Sequence, residues 1–559
     1  MEKIFRIFGK EYANINQAAL LLGFFTLLSQ ILALFRDRFI AHFIGPSPQL
    51  DAYYAAFRVP DLIFISIASL ASITVIIPFI LAKMDGDKVT DGARKLLNDI
   101  FTVFSSTITL VAVIAFFLMP HLAGFIAPGF APVLQAKVVM LSRIMLLSPI
   151  FMGLSNLFGT VTQLFRKFFI YSLSPIFYNF GIIIGVLFFY PFFGINGLAM
   201  GVALGALMHF LIQFFASFSC GFTPRFSLHI NFKDIRQAVI ISFPRTLGLA
   251  FNNIALICII ALASYLKAGS ISIFNFAYNL QTVPLNIIGV SYAVAAFPAL
   301  AKAMSMGKPE EFRKNLRLTG RAIVFWSLPV MFLFVVLRAQ IVRVILGSGS
   351  FSWDNTRLVA ASLAVFALSI LAQSMISLLS RAYYANGQTR QPLIINMLCS
   401  ILIIILSYVF THLFEHVAGF RYFLESLLRI SDLSGTEVIC LPLAYSVGTF
   451  INFLLHWIFV KRDFMHGEPF IAKTFFQSLG ASFFIGIVAY AGLNILSPIF
   501  GLTTFWGVFF QGFISGIAGI AAGVLVLYLL KNEELIALFK VLHTKFWRTR
   551  VVTSAEENL

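Results

Sequence analysis

Apolar residues run through this chain in long stretches, and short polar segments separate them. The segments 108–119, 182–190 and 514–530 contain no charged residue. A helix that crosses a bilayer needs about 20 mostly apolar residues and satisfies its own backbone polar groups, so the pattern predicts an all-α, polytopic membrane protein with about 14 transmembrane helices. The predicted spans are 17–44, 52–82, 97–119, 133–163, 170–190, 194–217, 236–264, 270–301, 318–337, 356–385, 391–413, 439–460, 472–494 and 504–530.

Charge adds the orientation of the chain to this picture. Hydrophobic residues make up 59% of the 559 residues and charged residues 11%, with a formal net charge of +17. Of the 40 Lys and Arg residues, 28 lie in or beside the N-terminal segment, the loops after even-numbered spans and the C-terminal tail. Nine lie on the opposite side, and three (Arg58, Arg143 and Arg245) lie within spans. This positive-inside distribution predicts that both termini are cytoplasmic. The excess of basic over acidic residues therefore indicates membrane topology and contact with membrane lipids, and nucleic acid is not an expected partner.

No pattern predicts an enzyme, a cofactor or a metal site. The four cysteines are scattered, and the sequence has no G-x-x-x-x-G-K-[ST] loop for a nucleotide. An H-x-x-E-H pattern at 412–416 falls at the end of a span without a third metal ligand in view. The first span ends in Arg-Asp-Arg and lacks a clear cleavage site, so we expect it to be retained.

The two halves of the chain share landmarks. Pro60 and Pro284 end similar segments and are offset by 224 residues, while Pro175 and Pro392 form a second pair offset by 217. Since both halves begin at an odd-numbered span, we predict two six-helix lobes in parallel repeat plus two C-terminal helices; chance recurrence in apolar sequence is the alternative. The predicted domains are an N-terminal cytoplasmic segment (1–16), an N-lobe (17–217), a cytoplasmic linker (218–235), a C-lobe (236–460), helices 13 and 14 (461–530) and a basic cytoplasmic tail (531–559).

Several motifs, in this order and spacing, resemble one family. Arg36-Asp37 ends span 1, and Asp-Ala-Tyr-Tyr-Ala-Ala-Phe-Arg-Val-Pro follows at 51–60. Ala-Pro-Gly-Phe at 127–130 and Ser-Pro with Tyr-Asn at 174–179 come next, and the stretch 276–298 also fits. Together they resemble the MurJ/MviN family of the multidrug/oligosaccharidyl-lipid/polysaccharide exporter superfamily.

The resemblance implies a function and its partners. It implies a flippase that moves lipid II, the undecaprenyl-pyrophosphate-linked peptidoglycan precursor, across the cytoplasmic (inner) membrane. Alternating access between the two lobes would drive the movement, without nucleotide hydrolysis. Membrane lipids and wall-synthesis enzymes are the other implied partners.

A pyrophosphate headgroup needs cations in its path. Arginine suits this task because its planar fork binds phosphate and stays charged, and ionisable residues in membrane spans are functional candidates by default. The candidate substrate-binding residues are Arg36, Asp37, Asp51, Arg58, Arg245 and Asn279.

Structural alternatives apply to most of these residues. Arg36 could anchor span 1 at the membrane interface, and Asp51 could cap the helix that follows it. Arg245 could satisfy the carbonyl that Pro244 frees one turn earlier. Arg143 could bridge lobes or helices.

The chain also departs from the family pattern. Gln30, Phe64 and Asn279 stand where the family often has arginine. Either other arginines supply the charge or the substrate differs. The alternatives are therefore an exporter of another polyprenyl-linked glycan or a small molecule, for which Asp61 is the best acidic candidate, and a non-transporting scaffold of wall synthesis.

Overall fold

The computed structural model describes residues 15–68, 80, 90–165, 167–220, 222–465, 471–501 and 504–546. Every regular element in these ranges is helical, which confirms the predicted all-α membrane fold. Eleven helices within them are long and apolar enough to cross a bilayer, or twelve if the bent pair Trp353–Ala367 and Ile370–Ala385 is one span. A further 29-residue helix occupies the first predicted span, and the second predicted span is described only in part.

The helix bounds follow the predicted spans, with breaks inside several of them. The first helices are α1 (Ile15–Phe43), α2 (Pro48–Ala56), α3 (Arg58–Ala68), α4 (Asp91–Ile126), α5 (Pro132–Met145), α6 (Leu147–Leu164), α7 (Phe168–Ile184), α8 (Tyr190–Phe193), α9 (Ile195–Phe218), α10 (Phe232–Ala263) and α11 (Ser270–Pro284). The others are α12 (Ser291–Ser305), α13 (Pro309–Val336), α14 (Arg338–Leu346), α15 (Trp353–Ala367), α16 (Ile370–Ala385), α17 (Arg390–His416), α18 (Ala418–Leu428), α19 (Cys440–Val460), α20 (Ala472–Leu496), α21 (Phe505–Leu529) and α22 (Glu533–Phe546).

The chain divides into two compact units that do not follow chain order. Unit 1 contains Met1–Val283, Val342–Ser369 and Gly387–His456. Unit 2 contains Pro284–Ile341, Ile370–Asn386 and Trp457–Leu559. The lobe boundaries proposed from the sequence remain a prediction.

Glycines allow two helices of unit 1 to touch through their backbones. A Cβ added to Gly181 on α7 would lie 2.2 Å from the Cα of Gly205 on α9, and one added to Gly205 would lie 2.4 Å from the carbonyl oxygen of Tyr178. Small residues permit such close packing of membrane helices. The contact fixes the part of α7 that carries Tyr178 and Asn179.

This contact predicts that two glycine substitutions have opposite effects on stability. Gly205→Ala forces α7 and α9 apart and is expected to lower the free energy of unfolding by about 1–3 kcal/mol. Gly124→Ala is the matched control, because nothing lies within 4 Å of its added Cβ. There the lower chain entropy of alanine raises stability by up to about 1 kcal/mol. Thermal unfolding in detergent measures both, and equal midpoints for the two variants would contradict the packing argument.

Ion pairs join the C-terminal helix of unit 2 to its neighbours. Arg321 on α13 pairs with Glu533 and Glu534, and Lys473 on α20 pairs with Glu533 at 2.8 Å. Hydrogen bonds from Lys473 and Arg321 lower the pKa of Glu533 to about 2. Beneath these pairs, Leu535 packs into the buried cluster of Phe325, Ala481 and Leu527, so α22 is held by both charge and apolar contact.

Candidate substrate-binding site

Arg36 lies near the end of α1 in a network of polar side chains from unit 1. Its Nε and Nη2 donate to Oδ1 of Asp37 at 2.9 and 2.8 Å, and its Nη1 donates to Oδ1 of Asn179 at 3.0 Å. The Arg36 side chain remains 20% exposed, whereas that of Asp37 is 4% exposed. Three of the five guanidinium N–H groups are used, so two are left for a ligand.

Two asparagines extend this network to other helices. Asn279 on α11 donates to Oδ2 of Asp37 at 3.0 Å, and Asn179 on α7 donates to Ser29 on α1 at 3.3 Å. The site therefore draws together α1, α7 and α11. Asn279 takes the place of a family arginine, and here it holds the carboxylate that orients Arg36.

Arg58 begins α3 and offers more free donors than Arg36. Within the described residues its one hydrogen bond runs from Nη2 to Oδ1 of Asn275, at 2.6 Å. Its Nε is buried without a partner, and it forms no ion pair in the described ranges. An unpaired buried donor is unfavourable, and a ligand that accepts its hydrogen bond relieves that cost. Arg58 is thus the side chain of this site best prepared to bind an anion.

The structure gives Asp51 a different set of contacts from either expectation. Its Oδ2 accepts from the backbone N–H of Gly269 at 2.6 Å, and its Oδ1 accepts from the backbone N–H and the hydroxyl of Ser272 at 2.7 and 2.6 Å. Ser47, not Asp51, caps α2, and Asp51 lies in the first turn of that helix. Asp51 is 2% exposed and caps the N-terminus of α11 across 218 residues of chain. Its oxygens hold α11 in place and leave little room for a direct role in binding.

Arg143 bridges two helices of unit 1 at a proline. Its Nε donates to the carbonyl oxygen of Phe116 at 3.1 Å, and its guanidinium lies 4.6 Å from the centre of the Phe116 ring. In a regular helix that carbonyl would accept from residue 120, which is Pro120 and has no N–H. Arg143 therefore donates to the carbonyl that the proline leaves free. It bridges two helices, α4 and α5, which is one of the roles suggested from the sequence.

A double-mutant cycle tests this explanation of Arg143. Arg143→Met is expected to lower the free energy of unfolding by about 1–2 kcal/mol, because the Phe116 carbonyl loses its donor in an environment without water. Pro120→Ala restores the helical N–H, so the same Arg143→Met change then has less than half that effect. Equal losses in both backgrounds, measured by thermal unfolding, would show that the proline is not the reason for the arginine.

Three further positions from the sequence analysis are Arg245, Gln30 and Phe64. Arg245 lies within α10, and its side chain is outside the described part of the structure. Gln30 on α1 and Phe64 on α3 are half-buried and uncharged. They lie on the same helices as Arg36 and Arg58, so these helices carry uncharged side chains at two positions where the family pattern often has arginine.

Sequence reasoning missed the partners that complete the site. Asn179 entered only as part of the motif at 174–179, and Asn275 was not among the candidate residues. Asn275 also donates to the carbonyl of Ile271 at 2.8 Å, which orients its oxygen toward Arg58. A signal was present, because an amide in an apolar helix needs a partner of its own.

The fold and site define a multi-pass membrane transporter. A multidrug resistance MATE family transporter of the MOP superfamily, in an inward-facing conformation, matches with TM-score 0.61 and 14% identity over 79% of this chain and 96% of that one. A lipid II flippase MurJ in an inward closed conformation matches with TM-score 0.71 and 22% identity over 95% of this chain and 100% of that one. The probable lipid II flippase MurJ of Rhizobium tropici is 27% identical over 382 residues, 66% of this chain and 70% of that one.

A family model, lipid II flippase MurJ, matches residues 40–510. The chain belongs to the MurJ family of lipid II flippases, which confirms the resemblance drawn from its motifs.

Proposed function

We propose that this chain moves lipid II across the cytoplasmic membrane by binding its pyrophosphate at Arg58 and Arg36. Arg58 supplies the principal charge, since Asp37 already neutralises much of Arg36. The site opens to one side of the membrane and then to the other, and both termini lie in the cytoplasm. The chain makes and breaks no covalent bond of the lipid and works beside wall-synthesis enzymes.

The observation that most strongly supports this proposal is the state of Arg58. Its Nε is buried and has no hydrogen-bond partner among the described residues, which is unfavourable until an acceptor such as an anion binds it. A pyrophosphate offers several acceptor oxygens to such a fork. The asparagines around it present amide groups that also suit a polar headgroup.

The remaining candidates enter the proposal with different roles. Asn279 and Asp37 orient Arg36, and Asp51 positions the helix that carries Asn275 and Asn279. We propose Arg245 as a third cation, on α10, for the same headgroup. The distribution of Lys and Arg along the chain supports the proposed orientation in the membrane.

Rescue of a bacterial cell tests the proposal. The chain is expressed in a cell whose own lipid II flippase can be switched off, and growth and outward headgroup movement are followed. The unaltered chain is expected to rescue, whereas Arg36→Ala and Arg58→Ala at equal membrane abundance fail. Arg421→Ala on α18 is the matched control, because that side chain is 45% exposed and remote in sequence from the site. Failure of the unaltered chain despite normal abundance would contradict the proposal.

A further inference from the structure

Asp61 faces the same region of unit 1 as Arg58 without pairing with it. The two residues lie three apart on α3, which places them on one side of the helix. They interact electrostatically, but within the described residues no ion pair or hydrogen bond holds the Asp61 carboxylate. The site thus contains a cation and an anion that both lack a direct partner of opposite charge among the residues that the structure describes.

The helices packed against α3 carry the other charged and titratable residues around Asp61. On neighbouring helices, it interacts electrostatically with Tyr53 of α2 and Tyr178 of α7. Helix α6, which packs against α3, has no ionisable side chain. Helix α5 carries Lys137 and Arg143, and Arg143 is engaged with Phe116. Helix α2 also carries Asp51 and Tyr54. Two more helices, α4 and α10, pack against α3. The charged and titratable residues of α4 are Asp91, Arg94, Lys95, Asp99 and His121. Those of α10 are Lys233, Asp234, Arg236, Arg245 and Cys258.

A bound pyrophosphate changes the balance at Asp61. A headgroup that accepts hydrogen bonds from Arg58 brings two negative charges close to the carboxylate, and like charges repel strongly where the dielectric constant is low. Either a cation enters with the headgroup or the carboxylate stays neutral. A divalent cation needs several oxygen ligands, and the described residues contain no group of three or more His, Cys, Asp or Glu side chains that could hold one. A proton needs only the carboxylate itself.

We infer that Asp61 takes up a proton when the headgroup binds at Arg58 and releases it when the headgroup leaves. This inference rests on the proposed function and names the ion linked to it. The proton moves from solvent to a carboxylate oxygen of Asp61. The positive charge of Arg58 then offsets one of the two negative charges of the headgroup, and Asp61 adds none. Ionised Asp61 then competes with the headgroup for Arg58 and favours release.

The test is the pH dependence of lipid II binding to the purified full chain. The pyrophosphate diester of lipid II keeps its charge between about pH 5.5 and about pH 8.5, so a change in affinity over that range reports a group on the protein. The affinity of the unaltered chain is expected to fall with rising pH, by about tenfold for each pH unit over which binding takes up one proton. Asp61→Asn is expected to bind with an affinity that does not change with pH. Asp61→Glu retains the dependence, and Asp354→Asn, at an exposed position on α15, behaves as the unaltered chain.

A second readout measures the proton directly. In weakly buffered solution with a pH indicator, lipid II addition is expected to remove protons from solvent with the unaltered chain and not with Asp61→Asn. Tight binding that is independent of pH in the unaltered chain, or binding that requires Mg²⁺, would overturn the inference and leave the proposed function intact. Absence of lipid II binding at every pH would overturn both.

Discussion

Arg58→Gln is expected to lower lipid II affinity and transport by about 10- to 100-fold, or about 1.4–2.8 kcal/mol of binding free energy, without loss of stability. The reason is the Nε of Arg58, which is buried without a partner among the described residues and is unfavourable until a ligand accepts its hydrogen bond. Glutamine keeps an amide donor for Asn275 and removes that unpaired group. Thermal unfolding in detergent should therefore show an unchanged or slightly higher midpoint, while binding of labelled lipid II weakens.

Arg58→Lys separates charge from geometry in the same experiment. A lysine restores the positive charge but cannot form a two-pronged contact with phosphate, so about a tenfold loss of affinity is expected. Full affinity in Arg58→Lys would show that charge alone suffices. A strong loss of stability in Arg58→Gln would instead assign Arg58 a structural role through Asn275.

Asp51→Ala is expected to have the opposite effect, a loss of stability and not a direct loss of lipid II affinity. The substitution removes three hydrogen bonds to the N-terminus of α11 and leaves the N–H groups of Gly269 and Ser272 without their acceptor. We expect a loss of about 2–4 kcal/mol in the free energy of unfolding, since caps and charged hydrogen bonds each contribute on this scale. Lower abundance of folded protein in the membrane and a lower unfolding midpoint measure it.

An exposed aspartate provides the control for this prediction. Asp354→Ala changes the same residue type in the first turn of α15, and a change of less than about 1 kcal/mol is expected there. If Asp51→Ala folded normally but failed to bind lipid II, Asp51 would contact the substrate after all. Lipid II binding per folded molecule separates the two cases.

The helices themselves could be predicted from the sequence, and the breaks within them only partly. Uninterrupted apolar stretches dictate helices because lipid offers the backbone no other partner. The division of span 4 at Leu146 comes just before Pro149, and a proline is a signal for such a break, whereas the break of span 10 after Ala367 has no proline beside it. Such breaks depend on packing against other helices, which local sequence does not contain.

Individual site residues could be predicted, whereas their partners could not. Arg36 and Arg58 stand out because charge is rare in these spans. Their contacts with Asn179 and Asn275 cross 143 and 217 residues of chain, so only the folded structure joins them. Asp51 illustrates the limit most clearly, since the local capping rule predicted the wrong helix while its chemistry, the capping of backbone N–H groups, was right. For Arg143, in contrast, the explanation lies in another helix. Pro120 leaves the Phe116 carbonyl without a donor, and Arg143 supplies one.

Headgroup translocation by the purified chain in lipid vesicles tests the central claim most directly. Labelled lipid II is placed in the inner leaflet, and its headgroup is detected from outside by an impermeant reagent. We predict that the unaltered chain and the Arg421→Ala control expose the headgroup much faster than protein-free vesicles, and that equally folded Arg58→Gln does so at close to the protein-free rate. Equal rates for Arg58→Gln and the unaltered chain would contradict the claim that this arginine carries the pyrophosphate.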